Sequence, residues 1–176
     1  ISVSNQETNL GIPRLQAERI RTISEIEVFA NLAKSGEWIE TSIQETGESP
    51  LLTNLCKYNV PVGPVLVIGA CNFPLAISVV GTDTISALAV GCPVIVKAHP
   101  AHPKTCQLLA DLVYRAMEKS GIPKGVFQLL HGKNYQITKN LVYHSKTACV
   151  AFTGSLEGGS ALSKVASQRK TPIPFH

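Results

Sequence analysis

The sequence predicts an α/β fold in which helices cover both faces of a parallel sheet. From Pro64 onward, short apolar segments alternate with longer segments of helical periodicity. The short segments are apolar throughout rather than at every second residue, as expected of strands that are buried on both faces. The chain has 176 residues, of which 44% are hydrophobic and 16% charged, so it can bury one substantial core. Together these observations favour a doubly wound sheet.

The first third of the chain is predicted to be mostly helical. An amphipathic pattern starts near Pro13 and runs to about Gln44, with Gly36 as a break within it. The polar stretch Gly47–Leu55 predicts turns. The stretch Lys57–Pro64 contains prolines at two positions, so it is expected to be an edge strand or an extended arm.

Beyond that arm, four strands alternate with four helices. The strands are predicted at Val65–Ala70, Pro93–Lys97, Val126–Leu130 and Ala148–Phe152. The helices are predicted at about Leu75–Val90, Pro103–Ser120, Tyr135–Val142 and Leu156–Ser167. We therefore expect two parts, with N-terminal helices and an arm in residues 1–63 and an α/β sheet domain in residues 64–176.

Composition excludes several functional classes. The formal charge of +4 comes from scattered basic residues, which argues against nucleic acid as a partner. No apolar run reaches the roughly 18 residues of a membrane span. The five cysteines are an odd number without a C-x-x-C pair, so neither a disulfide framework nor a zinc site is expected. Free thiols in apolar surroundings suit a reducing cytoplasm.

Candidate functional residues follow the predicted strands, because ligands of an open α/β sheet bind beyond the carboxyl ends of its strands. Four short segments occupy such positions. They are Gly69–Pro74, Lys97–Pro100, His131–Asn134 and Phe152–Ser155.

Each candidate also has a purely structural interpretation. The glycine-rich turn Gly154–Gly159 opens a helix and can hold a phosphate, although it matches neither G-x-G-x-x-G nor a Walker motif and can equally be a structural turn. Lys97 can reach a ribose or phosphate, or remain a solvated lysine at a strand end. Asn72 can donate to an oxyanion, or bond the backbone of its turn. His99 and His102 lack a third ligand, so no metal site is predicted.

Taken together, these motifs resemble the aldehyde dehydrogenase superfamily. The resemblance rests on Asn72–Leu75 after the first strand, Val94–Lys97 in the second, Gly121–Phe127 before the third, and Ala151–Ser155 with Gly159 after the fourth. Within the superfamily, the segment from Gly91 to Pro103 is most similar to alpha-ketoglutarate semialdehyde (2,5-dioxovalerate) dehydrogenases, relatives of the NADP-dependent fatty aldehyde dehydrogenase of luminous bacteria.

The resemblance implies a fold and an activity. The fold is the Rossmann-like parallel sheet of aldehyde dehydrogenases, with residues 64–176 as an incomplete NAD(P)-binding domain that is truncated before the catalytic domain. The activity is NAD(P)-dependent oxidation of an aldehyde, such as the semialdehyde 2,5-dioxopentanoate, to a carboxylic acid. The full-length enzyme is expected to be a cytoplasmic homo-oligomer, either a dimer or a tetramer. A non-catalytic nucleotide-binding module and an inactive paralogue are the alternatives.

The resemblance also assigns roles to single residues. Asn72 is similar to the family's oxyanion-hole amide, Lys97 to the lysine on the adenosine ribose, and Ser155 to the serine on the pyrophosphate. Thr153 matches a residue on the nicotinamide side. The expected coenzyme-binding residues are Ile68, Gly69, Ala70, Cys71, Lys97, His99, Pro100, Gly132, Thr153, Gly154, Ser155, Gly158 and Gly159.

Two departures from the family pattern carry information. Pro100 stands where NAD-preferring members often carry a glutamate, so a 2′-phosphate is not repelled, and both NADP and NAD remain open. The last residues, Thr171–His176, resemble the strand that leads to the family's general-base glutamate. That glutamate and the nucleophilic cysteine, which follows it in the family, therefore have no match in this sequence. Cys71 does not stand at the nucleophile position. We therefore expect the coenzyme-binding segment alone, without turnover of its own.

Overall fold

The computed structural model describes residues 1–44 and 55–176, so the turns predicted at residues 47–54 lie outside the described part. The helices are α1 (Ser2–Thr8), α2 (Ile12–Ser35), α3 (Thr82–Ala89), α4 (Pro103–Lys119), α5 (Tyr135–Tyr143) and α6 (Leu156–Ser167). The strands are β1 (Ser42–Gln44), β2 (Leu55–Lys57), β3 (Val65–Ile68), β4 (Val94–Lys97), β5 (Phe127–Leu130) and β6 (Cys149–Phe152).

The main sheet is parallel, with the strand order β5-β4-β3-β6. The chain builds outward from β3 through β4 to β5 and then returns to the other side of β3 as β6. This reversal confirms the predicted doubly wound α/β fold and creates a switch point between β3 and β6. Residues 174–176 run parallel beside β6, where the Val150 N–H donates to Pro174 O at 3.0 Å.

Two apolar clusters pack on the opposite faces of this sheet. Val67 and Val96 point to one face, where they pack with Phe127 of β5 and with the inner side of α4. Leu66 points to the other face and packs with residues of α5, β6 and α6. Each fully buried aliphatic side chain contributes about 1.5–3 kcal/mol. The fully apolar sequence of the central strand β3 follows from this burial on both faces, whereas the edge strand β5 contains the exposed Gln128.

The N-terminal region differs in part from its prediction. Helix α1 was not expected, because its sequence is polar and has no apolar periodicity. Helix α2 ends where predicted, with Gly36 in the left-handed region at φ 72°. The prediction that the helical pattern continues beyond Gly36 to about Gln44 is wrong. A short 3-10 turn at Glu37–Ile39 follows instead, and β1 then pairs antiparallel with β2, which covers only the start of the predicted arm.

The helix predicted to begin at Leu75 begins only at Thr82. Residues 71–80 form a series of turns that carries Asn72, here called the Asn72 loop. The N–H groups of Leu75 and Ala76 donate to the Glu18 carboxylate instead of standing at a helix start, and the Thr82 N–H donates to Ala76 O. A long-range contact therefore overrides the local helical pattern.

Within residues 1–44 and 55–176, none of the helices combines the length and the apolar character that a membrane crossing requires.

Candidate functional site

A cleft of about 590 Å³ lies at the switch point, beyond the carboxyl ends of β3, β4 and β6. Because the strands are in register, Ile68, Lys97 and Phe152 end side by side at its floor. Most of the predicted site residues line this cleft. They are Ile68, Gly69, Ala70, Cys71, Asn72, Lys97, His99, Pro100, Thr153, Gly154, Ser155 and Gly158.

Two of the predicted residues, Gly132 and Gly159, do not line the cleft. Gly159 lies in an adjoining groove on the outer side of β6. Gly132 packs against α5, where an added Cβ would come within 2.8 Å of the Ile137 Cδ1 atom. A role of these two glycines in coenzyme binding stays a prediction.

The structure adds five residues to the cleft that the predicted site did not include, among them Phe152 at the end of β6 and Leu162 of α6. Lys133, Tyr135 and Thr138 reach it from the β5–α5 connection and the first turn of α5. Lys133 stands in the segment His131–Asn134, which had been singled out because it follows a strand. Tyr135 and Thr138 are three residues apart on a helix, so they share one face. That spacing was the signal available in the sequence.

The glycine-rich turn presents the start of α6 to the cleft. Ser155 is the N-cap residue, and its Oγ accepts the Gly158 N–H at 3.2 Å while its carbonyl accepts the Gly159 N–H at 2.9 Å. Since the serine oxygen accepts this capping bond, its O–H remains a donor. The first-turn N–H groups and the positive end of the helix dipole make this corner suitable for an anion.

The charge of the cleft points to the same ligand class. Among the described lining residues, Lys97 and Lys133 are basic and none carries a carboxylate. Lys97 is buried, its Nζ donates to Ala98 O at 2.8 Å, and desolvation lowers its pKa. A bound phosphate would therefore meet a cation that has already lost most of its water.

Next to Lys97, the partly buried His99 packs on the buried residues His102 and Cys106. The rings of His99 and His102 stack at 5.3 Å, and His102 Nδ1 lies 3.2 Å from Cys106 Sγ. Desolvation lowers the pKa of both imidazoles, and it raises the pKa of the Cys106 thiol. These three groups therefore stay neutral, and Cys106 is a poor nucleophile. In the described part of the chain, no group of three His, Cys, Asp or Glu residues is placed to hold a metal ion.

Asn72 stands exposed at the rim of the cleft, on the loop after β3. The main-chain carbonyl oxygen of Asn72 accepts a hydrogen bond from Arg14 Nη2 at 2.6 Å. Among the described residues, none forms a hydrogen bond with its side-chain amide. The arrangement thus fixes the main chain of Asn72 and leaves both amide hydrogens available to a ligand in the cleft.

Comparison with known sequences agrees with this geometry. The profile of the aldehyde dehydrogenase family matches residues 3–174. The chain belongs to the aldehyde dehydrogenase family. Alpha-ketoglutaric semialdehyde dehydrogenase 2 of Azospirillum brasilense is 45% identical over 179 residues, which cover 100% of this chain and 34% of that protein. Alpha-ketoglutaric semialdehyde dehydrogenase of Acinetobacter baylyi is 44% identical, with 98% of this chain and 33% of that protein covered.

Solved structures of this family share the fold. Aldehyde dehydrogenase from Brucella melitensis superimposes with a TM-score of 0.83 at 29% identity, covering 98% of this chain and 34% of that one. Glyceraldehyde-3-phosphate dehydrogenase GapN from Methanocaldococcus jannaschii, complexed with NADP, gives a TM-score of 0.77 at 22% identity, covering 99% and 38%. The aldehyde dehydrogenase prediction is confirmed, and the chain spans about a third of the length of the curated relatives it matches.

Proposed function

We propose that this chain is the coenzyme-binding part of an NAD(P)-dependent aldehyde dehydrogenase that oxidises a semialdehyde such as 2,5-dioxopentanoate to the carboxylic acid. The observation that carries the proposal is the convergence of predicted site residues from three parallel strand ends on one cleft at the switch point. The two semialdehyde dehydrogenases with 44–45% identity over nearly the whole chain support the substrate class.

The cleft fits a dinucleotide phosphate. The first turn of α6 and the Ser155 hydroxyl would hold the pyrophosphate, and Lys97 would contact the adenosine ribose or its 2′-phosphate. Pro100, rather than a carboxylate, lies at the rim beside them, so NADP is accepted as well as NAD. When bound, the coenzyme supplies the hydride acceptor for the aldehyde.

In this proposal Asn72 is the hydrogen-bond donor that stabilises negative charge on the aldehyde oxygen. Its side-chain amide faces no protein partner within the described residues, so its N–H can donate to the aldehyde oxygen. That oxygen gains negative charge when a nucleophile attacks the carbonyl carbon, and a fixed donor stabilises the charge more in the transition state than in the ground state. The family's glutamate base and cysteine nucleophile have no counterpart in these 176 residues. We assign them to the remainder of the full-length protein.

Assembly and location form the remaining part of the proposal. We propose a homo-oligomer, a dimer or tetramer, because the β1–β2 ribbon and the segment after it expose large apolar side chains. They are Ile43, Leu55, Tyr58, Val60 and Val62. Five free thiols, of which three are buried, support a reducing cytoplasm.

Coenzyme affinity and activity of the full-length protein test the proposal. Calorimetry with NADP should show Lys97→Ala and Ser155→Ala each weakening binding, by about tenfold or more for the charged lysine contact. Lys146→Ala, an exposed lysine at the amino end of β6, is the matched control and should not change the affinity. If Lys97→Ala and Ser155→Ala bind NADP as tightly as Lys146→Ala and the unsubstituted protein, the coenzyme site is overturned.

The same protein is then assayed for NADP- and NAD-linked oxidation of 2,5-dioxopentanoate. Binding without oxidation of any aldehyde would mean a non-catalytic nucleotide-binding module. Absence of both binding and oxidation would mean an inactive paralogue.

A further inference from the structure

Two charged side chains of helix α2 hold the Asn72 loop although they stand outside the cleft. Glu18 Oε1 accepts the N–H groups of Leu75 at 2.7 Å and Ala76 at 2.9 Å. One turn earlier on the same helix face, Arg14 Nη2 donates to Asn72 O at 2.6 Å. The Arg14 guanidinium also lies 4.8 Å from the centroid of the Phe73 ring.

The burial of Glu18 makes this contact strong and specific. Its side chain is 5% exposed, and its second oxygen, Oε2, is buried with no hydrogen-bond partner among the described residues. A carboxylate in such a place is costly unless charge-assisted bonds compensate for its lost hydration. Here the compensating donors are two consecutive main-chain N–H groups of the Asn72 loop, so moving the loop would leave the carboxylate buried and unpaired.

The loop has little freedom on its other side as well. An added Cβ at Gly69 would lie 2.1 Å from Ile77 O, which shows how closely the returning loop crosses the end of β3. The Ala70 N–H donates to the same carbonyl at 3.2 Å. The backbone at Asn72 is thus fixed between the strand end below and helix α2 above.

We propose that Glu18 and Arg14 are positioning residues that set the Asn72 amide in the geometry needed for oxyanion stabilisation. The proposal rests on the proposed function, in which Asn72 donates to the aldehyde oxygen. Neither side chain lines the cleft, so they act through the loop alone. An oxyanion donor must be held in place before the charge develops, and a displacement of about 1 Å can cost a hundredfold in rate.

A double-mutant cycle on the full-length protein tests this inference. The variants are Glu18→Gln, Asn72→Ala and the two combined, and kcat and the KM for NADP are measured for each. Glu27→Gln is the matched control, since it removes the same charge from an exposed position of α2. Active enzyme is counted by burst titration, so that partial unfolding does not enter kcat.

We expect Glu18→Gln to lower kcat about tenfold to a hundredfold with little change in the KM for NADP. In the Asn72→Ala background the same substitution should change kcat less than twofold, because the group it positions is gone. Equal losses in both backgrounds would overturn the positioning role and leave Glu18 as a general stabilising residue. An unchanged kcat in Asn72→Ala alone would instead overturn the oxyanion role, and with it this inference.

Arg14→Met provides a second route if Glu18→Gln does not fold. It keeps the apolar stem on Phe73 and removes the donor to Asn72 O. Arg19→Met, at an exposed position of the same helix, is its control. We expect the same dependence on Asn72, and additive losses would contradict the proposal.

Discussion

Glu7 of α1 caps helix α4 at Thr105, a residue 98 positions later in the chain. Its Oε2 accepts both the N–H and the Oγ1–H of Thr105 at 2.8 Å, and its Oε1 accepts the Lys104 N–H at 2.9 Å. The carboxylate therefore satisfies N–H groups at the helix end that follows Lys97, His99 and His102. An unexpected polar helix thus supports one wall of the cleft.

This cap predicts a loss of stability in Glu7→Gln. Removing a helix N-terminal acceptor costs about 0.5–2 kcal/mol, and the amide retains only part of the bonding. Burial acts to raise the Glu7 pKa, but the three hydrogen bonds outweigh it and lower the pKa below the usual 4.5. The contribution is therefore complete above pH 4.5 and is lost as the pH falls through the lowered value.

Urea unfolding at pH 7 and again near pH 3.5 measures the effect. The difference between the wild type and Glu7→Gln should be present at pH 7 and smaller at the lower pH. Glu27→Gln, at an exposed position of α2, serves as the control. A difference that grows on acidification would contradict the assignment of the cap.

The buried imidazole of His102 predicts a second pH dependence at higher pH. Desolvation lowers its pKa from 6.5, so the unfolded chain binds a proton that the folded chain does not. Below pH 6.5 protonation therefore favours the unfolded chain, so the free energy of unfolding falls as the pH drops toward the lowered pKa, by up to about 1.4 kcal/mol per pH unit. His102→Gln should be less stable at pH 7 and should lose less stability between pH 7 and 5. Equal slopes in unfolding titrations would argue against this role.

The close crossing at Gly69 predicts that Gly69→Ala is poorly tolerated. The new methyl group would meet the Ile77 carbonyl, a main-chain atom that cannot move aside without breaking the Asn72 loop. We expect a loss of about 1–3 kcal/mol or more in free energy of unfolding, measured by urea denaturation. Gly125→Ala is the matched control, since an added Cβ there meets no atom within 4 Å. Similar stabilities of the two variants would contradict the close crossing.

The exposure of the cysteines predicts a pattern of labelling. Cys56 and Cys71 are exposed, and Cys92, Cys106 and Cys149 are buried. Brief treatment of the native full-length protein with a thiol reagent, followed by peptide mapping, should label the first two. Saturating NADP should protect Cys71, which lines the cleft, and leave Cys56 labelled. Labelling of Cys71 at the same rate with and without NADP would contradict the assigned cleft.

The sheet was predictable because each strand is a short, predominantly apolar run with a turn after it. Those turns also located most of the cleft, since parallel strands in register bring their carboxyl ends together. The start of α3 and the existence of α1 were not predictable, because Glu18 and Glu7 determine them through contacts 57 and 98 residues apart. No local periodicity records such contacts. The spacing of Tyr135 and Thr138 placed them on one face of α5, but only the packing of that helix shows that this face meets the cleft.

The two carboxylate contacts are nested along the chain, with the pair Glu18 and Leu75 inside the pair Glu7 and Thr105. During synthesis both acids leave the ribosome long before their partners. At about 5–20 residues per second, the 98 residues between Glu7 and Thr105 correspond to a wait of roughly 5–20 s. We expect the inner contact to close first and the outer one last. Helix α1 is translated before the sheet, and we expect it to dock after the sheet has formed.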